Sequence, residues 1–188
     1  MSKSGIMKIV LVAVMVVAIA GCSGEGYESS SPVNLVVSHS ENLHRIDLNG
    51  GARCNEQLGT FSFLATARNP DLTGNQLQVR IIRYRVSYQR TDGGTAVPAP
   101  YTTSVNFLVG PTGAIDEQAI QTFRAEAFNQ APFVALRTAN GGRDPETGSN
   151  RIRMDVIVEF FGETLGGENV YATSRHAMEF CFNCQGCG

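Results

Sequence analysis

The sequence predicts a mainly β protein: an antiparallel β-sandwich with one crossover helix near residues 116–129. Three observations carry this. Apolar residues recur at every second position over six stretches beyond residue 32, the period of a half-buried strand. Glycines, 20 against 7 prolines, cluster between those stretches, where tight turns need them. And 188 residues are enough for one globular core and too few for two full domains. With 43% hydrophobic and 17% charged residues, the chain is neither a disordered polymer nor a coiled coil.

The first element is an address. Lys3 and Lys8 precede an uncharged apolar run, Ile9 to Ala20. These are the n-region and h-region of an export signal, and the run is too short to serve comfortably as a permanent membrane span. It ends Ile19-Ala20-Gly21-Cys22. This tetrapeptide resembles the lipobox of bacterial lipoproteins, with an aliphatic residue, two small residues and the required cysteine. The resemblance covers the first 22 residues. It implies cleavage before Cys22, by signal peptidase II, and acylation of that cysteine. Three acyl chains hold a protein on a membrane without crossing it. Ser23, in place of the aspartate that in this family retains many lipoproteins at the inner membrane, implies the outer membrane, on its periplasmic or surface face. The covalent lipid at Cys22 is then the only non-protein group expected.

Loss of residues 1–21 leaves 167 of the 188 residues. Both lysines go with the leader, so the 15 basic residues fall to 13 arginines against 17 acids, a net charge of −4. Such a chain lacks the basicity of a nucleic-acid binder, the lysine of Schiff-base chemistry and a polybasic lipid-binding patch. Residues 22–32 are small and polar and read as a flexible tether. Residues 33–188 form the domain.

The strands follow in order. Val33 to Val37 is the first, and Leu58 to Ala67 the second, alternating at Phe61, Phe63, Ala65 and Ala67. Gln78 to Gln89 is the third, with Ile82, Tyr84, Val86 and Tyr88 on one face and Arg83, Arg85, Ser87 and Gln89 on the other. Asp92-Gly93-Gly94 stops it. Ser104 to Val109 is the fourth. Then Pro111-Thr112-Gly113 breaks the period. Asp116 is placed to cap a helix, with Ile120, Phe123 and Ala127 at helical spacing and Ala131-Pro132 ending it near Asn129. The polar loop 140–150 leads to the fifth strand, Asn150 to Phe161, and the sixth runs from Val170 to Phe182. The pattern is similar to that of immunoglobulin-like envelope domains, without their buried tryptophan.

The last two strands should form an antiparallel hairpin. If opposed residue numbers add to 330, Asp155 meets Arg175 and Arg151 meets Glu179. Ile152, Met154, Val156, Val158 and Phe160 then point inward against Met178, His176, Ser174, Ala172 and Val170. A one-residue slip would turn an apolar row into water, whereas a two-residue slip would keep the faces and disturb only the charge pairs.

Chemistry rests on few residues. Cys181-Phe182-Asn183-Cys184-Gln185-Gly186-Cys187 ends the chain, and Cys54 stands alone. Four thiols are a possible tetrahedral zinc set or a thiol-redox device. An exported chain meets an oxidising compartment, which favours disulfides. The preferred pairing joins Cys54 to Cys181 and Cys184 to Cys187. His39, His44 and His176 have no local partner of the zinc-hydrolase type, and His176 reads as a core histidine. Asp144, Glu146 and Asn150 carry oxygen without EF-hand spacing. Arg83, Arg85, Arg151 and Arg153 alternate on strands, either as a stripe for an anion or as a charged face that resists edge pairing. These readings converge on a lipid-anchored, non-catalytic binding or accessory module whose partners are the membrane and other envelope proteins. The alternative is a metal-binding or thiol-redox accessory protein.

Overall fold

A computed structural model describes residues 31–39, 44–49, 58–69, 71, 74–110 and 116–184. The leader, Cys22, most of the tether, Cys54, Cys187 and the Pro111–Gly113 break lie outside these.

Eight strands build two sheets. They are β1 (Val33–His39), β2 (His44–Asp47), β3 (Leu58–Ala67), β4 (Val79–Arg90), β5 (Tyr101–Val109), β6 (Asp116–Gln121), β7 (Arg151–Thr164) and β8 (Asn169–Cys181). The smaller sheet runs β1-β3-β6 and the larger β2-β8-β7-β4-β5. All pairs are antiparallel except β2 with β8, which is parallel. The expectation of purely antiparallel sheets is therefore corrected at one edge. The reason is β2 itself: four residues, His-Arg-Ile-Asp, too short for alternation to reveal a strand.

The buried faces of the two sheets share one core. Phe160 of β7 meets Phe61 and Phe63 of β3 edge-on, with ring centroids 5.4 and 4.9 Å apart. Phe63 also meets Phe107 of β5 at 5.2 Å. Two phenols tie the sheets by hydrogen bonds. Tyr101 donates to the Gln121 carbonyl at 2.6 Å and Tyr88 to the Thr122 carbonyl at 2.8 Å. Burial pushes both phenols well above the usual tyrosine pKa, so they are protonated donors at neutral pH.

The helix expected over 116–129 does not form. Residues 116–121 are β6, laid along β3, and Ala125–Asn129 is a short 3-10 turn. The apolar spacing was real, because Ile120 and Phe123 are buried, but a strand end followed by tight turns buries the same residues. A helix would have left that edge of β3 without a ladder partner. Phe123, Phe128 and Phe133 instead close the core around Phe180, at 4.9, 6.4 and 4.5 Å. Among the described residues the helical pieces are all 3-10 turns of three to five residues.

Two further corrections concern faces and register. Ile82 was expected inward, yet it is exposed while Ile81 is fully buried. A bulge between Ile81 and Arg83 switches the alternation. It lies beside Gly162, where an added Cβ would stand 2.6 Å from the Arg80 carbonyl. Beyond the bulge, Tyr84, Val86 and Tyr88 face inward as read. In the β7–β8 hairpin Arg153 stands opposite Glu179 and Arg151 opposite Cys181, so opposed numbers add to 332 rather than 330. The turn sets this. Thr164 and Glu168 close it with a 2.9 Å backbone bond, and Gly167 takes a φ of +89° that favours glycine. The faces are as expected: Ile152, Met154, Val156, Val158 and Phe160 are all buried.

Those faces predict unequal costs for adjacent residues. Phe160→Ala should destabilise by about 3–5 kcal/mol, the cost of emptying a core ring site. Phe161→Ala, which loses the outer contacts with Tyr171 and Arg83, should cost about 1 kcal/mol. Urea denaturation of both variants checks this; equal losses would contradict the strand's facing.

Candidate functional site

The outer face of the larger sheet ends in a cluster centred on one carboxylate. Glu179 of β8 points to the solvent side by alternation, yet its side chain is only 1% exposed. Three arginines cover it. Arg45 Nε of β2 donates at 2.8 Å, Arg151 Nη1 at 3.0 Å and Arg153 Nε, from β7, at 2.9 Å. The arginine side chains are themselves 36, 42 and 59% exposed. The parallel register sets Arg45 beside Glu179, and the antiparallel register sets Arg153 opposite it. Arg151 reaches it diagonally, as long side chains do. Burial alone would push the Glu179 carboxyl up. The hydrogen bonds from Arg153 and Arg45 and the charges of Arg151 and Arg45 outweigh it and hold the pKa below the ordinary glutamate value. Three guanidiniums on one carboxylate leave a local charge of +2.

Next to this cluster the chain turns sharply. Cys181 and Cys184 are joined in a disulfide, with Cα atoms 5.9 Å apart. Both expected pairs, Cys54–Cys181 and Cys184–Cys187, are thereby corrected, because Cys181 and Cys184 bond to each other. A bridge to distant Cys54 would close a longer loop and gain more chain entropy, but the turn after β8 brings Cys184 back onto Cys181. Asn183 adopts a φ of +57° there, a conformation that asparagine tolerates better than most residues. Buried Asp47 holds the turn. Its Oδ1 accepts from the Asn183 amide at 3.0 Å and its Oδ2 from the Cys184 amide at 2.9 Å. A hollow of about 300 Å³ opens beside it, lined by Asn150, Arg151, Phe182, Asn183 and the disulfide. In this oxidised form the sulfurs of Cys181 and Cys184 are not thiolate ligands. Cys54 and Cys187, the rest of the alternative metal set, lie outside the described residues.

The inner side of the same end holds a second cluster, of opposite sign. Arg90, the last residue of β4, is buried on the core side. It donates to Asp92 at 2.6 Å and to Asp144 at 2.7 Å, and Glu146 stands 3.7 Å away. Glu146 also accepts from the Thr95 and Ala96 amides at 2.7 and 2.9 Å. Hydrogen bonds from Thr95 and Ala96 hold its carboxyl down to about 2. Asp92 in turn accepts from the Arg153 amide at 2.9 Å, so β7 carries one cluster on its backbone and the other on its side chain. Loop 140–150, the polar loop ahead of β7, is thus pinned to the sheet. Asp144 and Glu146 are engaged with Arg90, and Asn150 lies apart in the hollow beside Arg151.

The histidines divide between sheets. His39 of β1 and His176 of β8 stack with ring centroids 4.2 Å apart, and Phe61 meets both edge-on. His176 is a core residue, as read. His44 begins β2, and its side chain lies outside the described residues. Of the arginine stripe, Arg151 and Arg153 join at Glu179. Arg85 stands 3.7 Å from Glu159 and Arg83 lies over the Phe161 ring. Sequence reasoning missed Arg45 and Arg90. Arg90 continues the inward parity of Val86 and Tyr88 and was legible by extending the strand one residue. Arg45 offered no signal without its strand. Compared with known proteins, the chain matches no family model, no curated protein and no solved structure.

Burial raises and arginine contacts lower the carboxyls of Asp92, Asp144 and Glu179, with a net depression in each. A carboxyl depressed in the folded state adds stability that is fully present above its unfolded pKa. That stability is lost as pH falls through the folded value. The urea midpoint should therefore be level near neutrality and fall progressively below about pH 4. Glu179→Gln should lower the unfolding free energy at pH 7 by about 2 kcal/mol, because the arginines left behind are half-exposed and stay hydrated. The gap to wild type should narrow in acid. A wild-type midpoint that does not fall in acid would contradict the depressed carboxyls.

Proposed function

We propose that the protein is a lipid-anchored, non-catalytic module of the bacterial cell envelope, with a binding or accessory role. The observation that carries the reading is Ile19-Ala20-Gly21-Cys22 at the end of a charged start and an apolar run. The domain's described residues begin at Ser31, and the nine steps from Cys22 to Ser31 span at most about 30 Å when extended. An anchor at Cys22 would hold the domain close to its membrane, and Ser23 favours the outer one. The finer architecture proposed is a β-sandwich of immunoglobulin-like pattern, supported by the rings and phenols that bridge the two sheets. The thiol-redox alternative has the Cys181–Cys184 pair in its favour, but Cys181 is 1% exposed, and burial shields a sulfur from exchange.

The test is the mass and partition of the protein made in a bacterial host. Wild type should stay with membranes until detergent is added and should show a chain beginning at residue 22 with its acyl groups. Cys22→Ala should accumulate as uncleaved precursor. A wild-type chain that is processed elsewhere and carries no lipid would overturn the proposal.

A further inference from the structure

We infer that Arg45, Arg151 and Arg153 form a binding site for the phosphate group of a small phosphomonoester. The inference needs only the folded domain and is independent of the lipid anchor.

The argument starts from charge. One guanidinium would neutralise Glu179, and three are placed on it at 2.8, 3.0 and 2.9 Å. All three help to hold the carboxylate ionised, but two charges beyond neutrality repel each other and are left unmatched within the cluster. They also stand on a chain whose net charge is −2, so the local excess is not a reflection of general basicity. What the arrangement does achieve is positional. Glu179, itself screened from water, fixes three half-exposed guanidiniums about one point. Each commits a single nitrogen to it, and a guanidinium carries several further N–H donors in a planar fork. Those donors are held at the rim of the cluster, where an incoming anion meets them already ordered.

The chemistry of the ligand follows. The four side chains carry +2 and Asp47 beside the hollow brings −1, which leaves an excess of positive charge for an anion to offset. Donors converging from three side chains suit the tetrahedral oxygens of a phosphate better than the two oxygens of a carboxylate. The second observation is the hollow of about 300 Å³ that Arg151 shares with Asn150, Phe182 and Asn183. It is at the small end of ligand sites and lies where the remainder of a phosphomonoester would project. Asn150 and Asn183, whose side-chain oxygen accepts from Asn49, line its polar part, and Phe182, packed partly against the core, borders it. The disulfide and Asp47 keep that wall in place.

The test is calorimetric titration of the full chain in detergent, first with inorganic phosphate and then with phenyl phosphate, at an ionic strength held constant with chloride. One saturable site is expected, with phenyl phosphate the tighter ligand and acetate much weaker than either. Arg151→Gln and Arg153→Gln should each weaken phosphate at least about tenfold, the loss of a charged hydrogen-bonding partner. Arg151→Lys keeps charge and stem but not the fork, and should fall between them and wild type. Arg80→Gln, exposed at the far end of β4, should bind as wild type. Folding of every variant is followed by its melting transition. If a Gln variant fails to fold, the lysine variant and the acetate comparison still decide. No heat of binding in folded wild type, acetate equal to phosphate, or equal weakening in Arg80→Gln would overturn the site.

Discussion

A carboxylate hidden from water is costly unless opposite charge reaches it, and Glu179 is hidden almost completely. Its three arginines come from two other strands, so the ion cluster is also a joint. Arg45 arrives only if β2 lies parallel to β8, and Arg153 only if β7 pairs with β8 in its observed register. Asp47, two residues beyond Arg45, then collects the amides of Asn183 and Cys184. The short edge strand, the C-terminal turn and the disulfide therefore meet at one electrostatic joint, which the hairpin register, set by its own turn, makes possible. The same requirement leaves the outer face with excess positive charge at a defined place.

The inner face obeys a different rule. Rings of Phe61, Phe63, Phe107 and Phe160 fill the space between the sheets, and hydrophobic burial supplies most of the driving force. At the margins Tyr88 and Tyr101 reach backbone carbonyls on the opposite side of the core, and Arg90 engages Asp92 and Asp144. Arg90 and Glu179 mirror each other. One is a buried cation among acids, the other a buried anion among cations, and Arg153 touches both arrangements through its amide and its side chain. The end of the molecule is held as one polar unit with opposite charge inside and outside.

How much of this was legible depends on what each residue's neighbours are. Alternation along β3, β7 and most of β4 placed inward and outward residues correctly, because one face of each is packed against a continuous core. It failed at Ile82, where a bulge and Gly162 reset the parity, and at β2, where four residues cannot establish a period. The segment 116–129 was misread because apolar residues three and four apart satisfy a helix and a strand-plus-turn equally; the unpaired edge of β3, invisible in one dimension, decides between them. The hairpin register differed by two because the turn, rather than charge, sets it, and long arginines reach Glu179 directly or diagonally. Glu179, Arg151 and Arg153 were legible as outer charges. The Arg151–Glu179 contact was read and is present at 3.0 Å, but the arrival of Arg45 was not legible, since it comes from a strand over a hundred residues away in the chain.

The most direct test is a set of cross-strand backbone NOEs from isotope-labelled protein. The account predicts the parallel pattern linking Arg45 and Ile46 to Glu179 and Phe180, together with close Hα or amide contacts between Arg153 and Glu179. Finding β2 away from β8, or Arg151 directly opposite Glu179 in the ladder, would contradict the joint on which the rest of the structure depends.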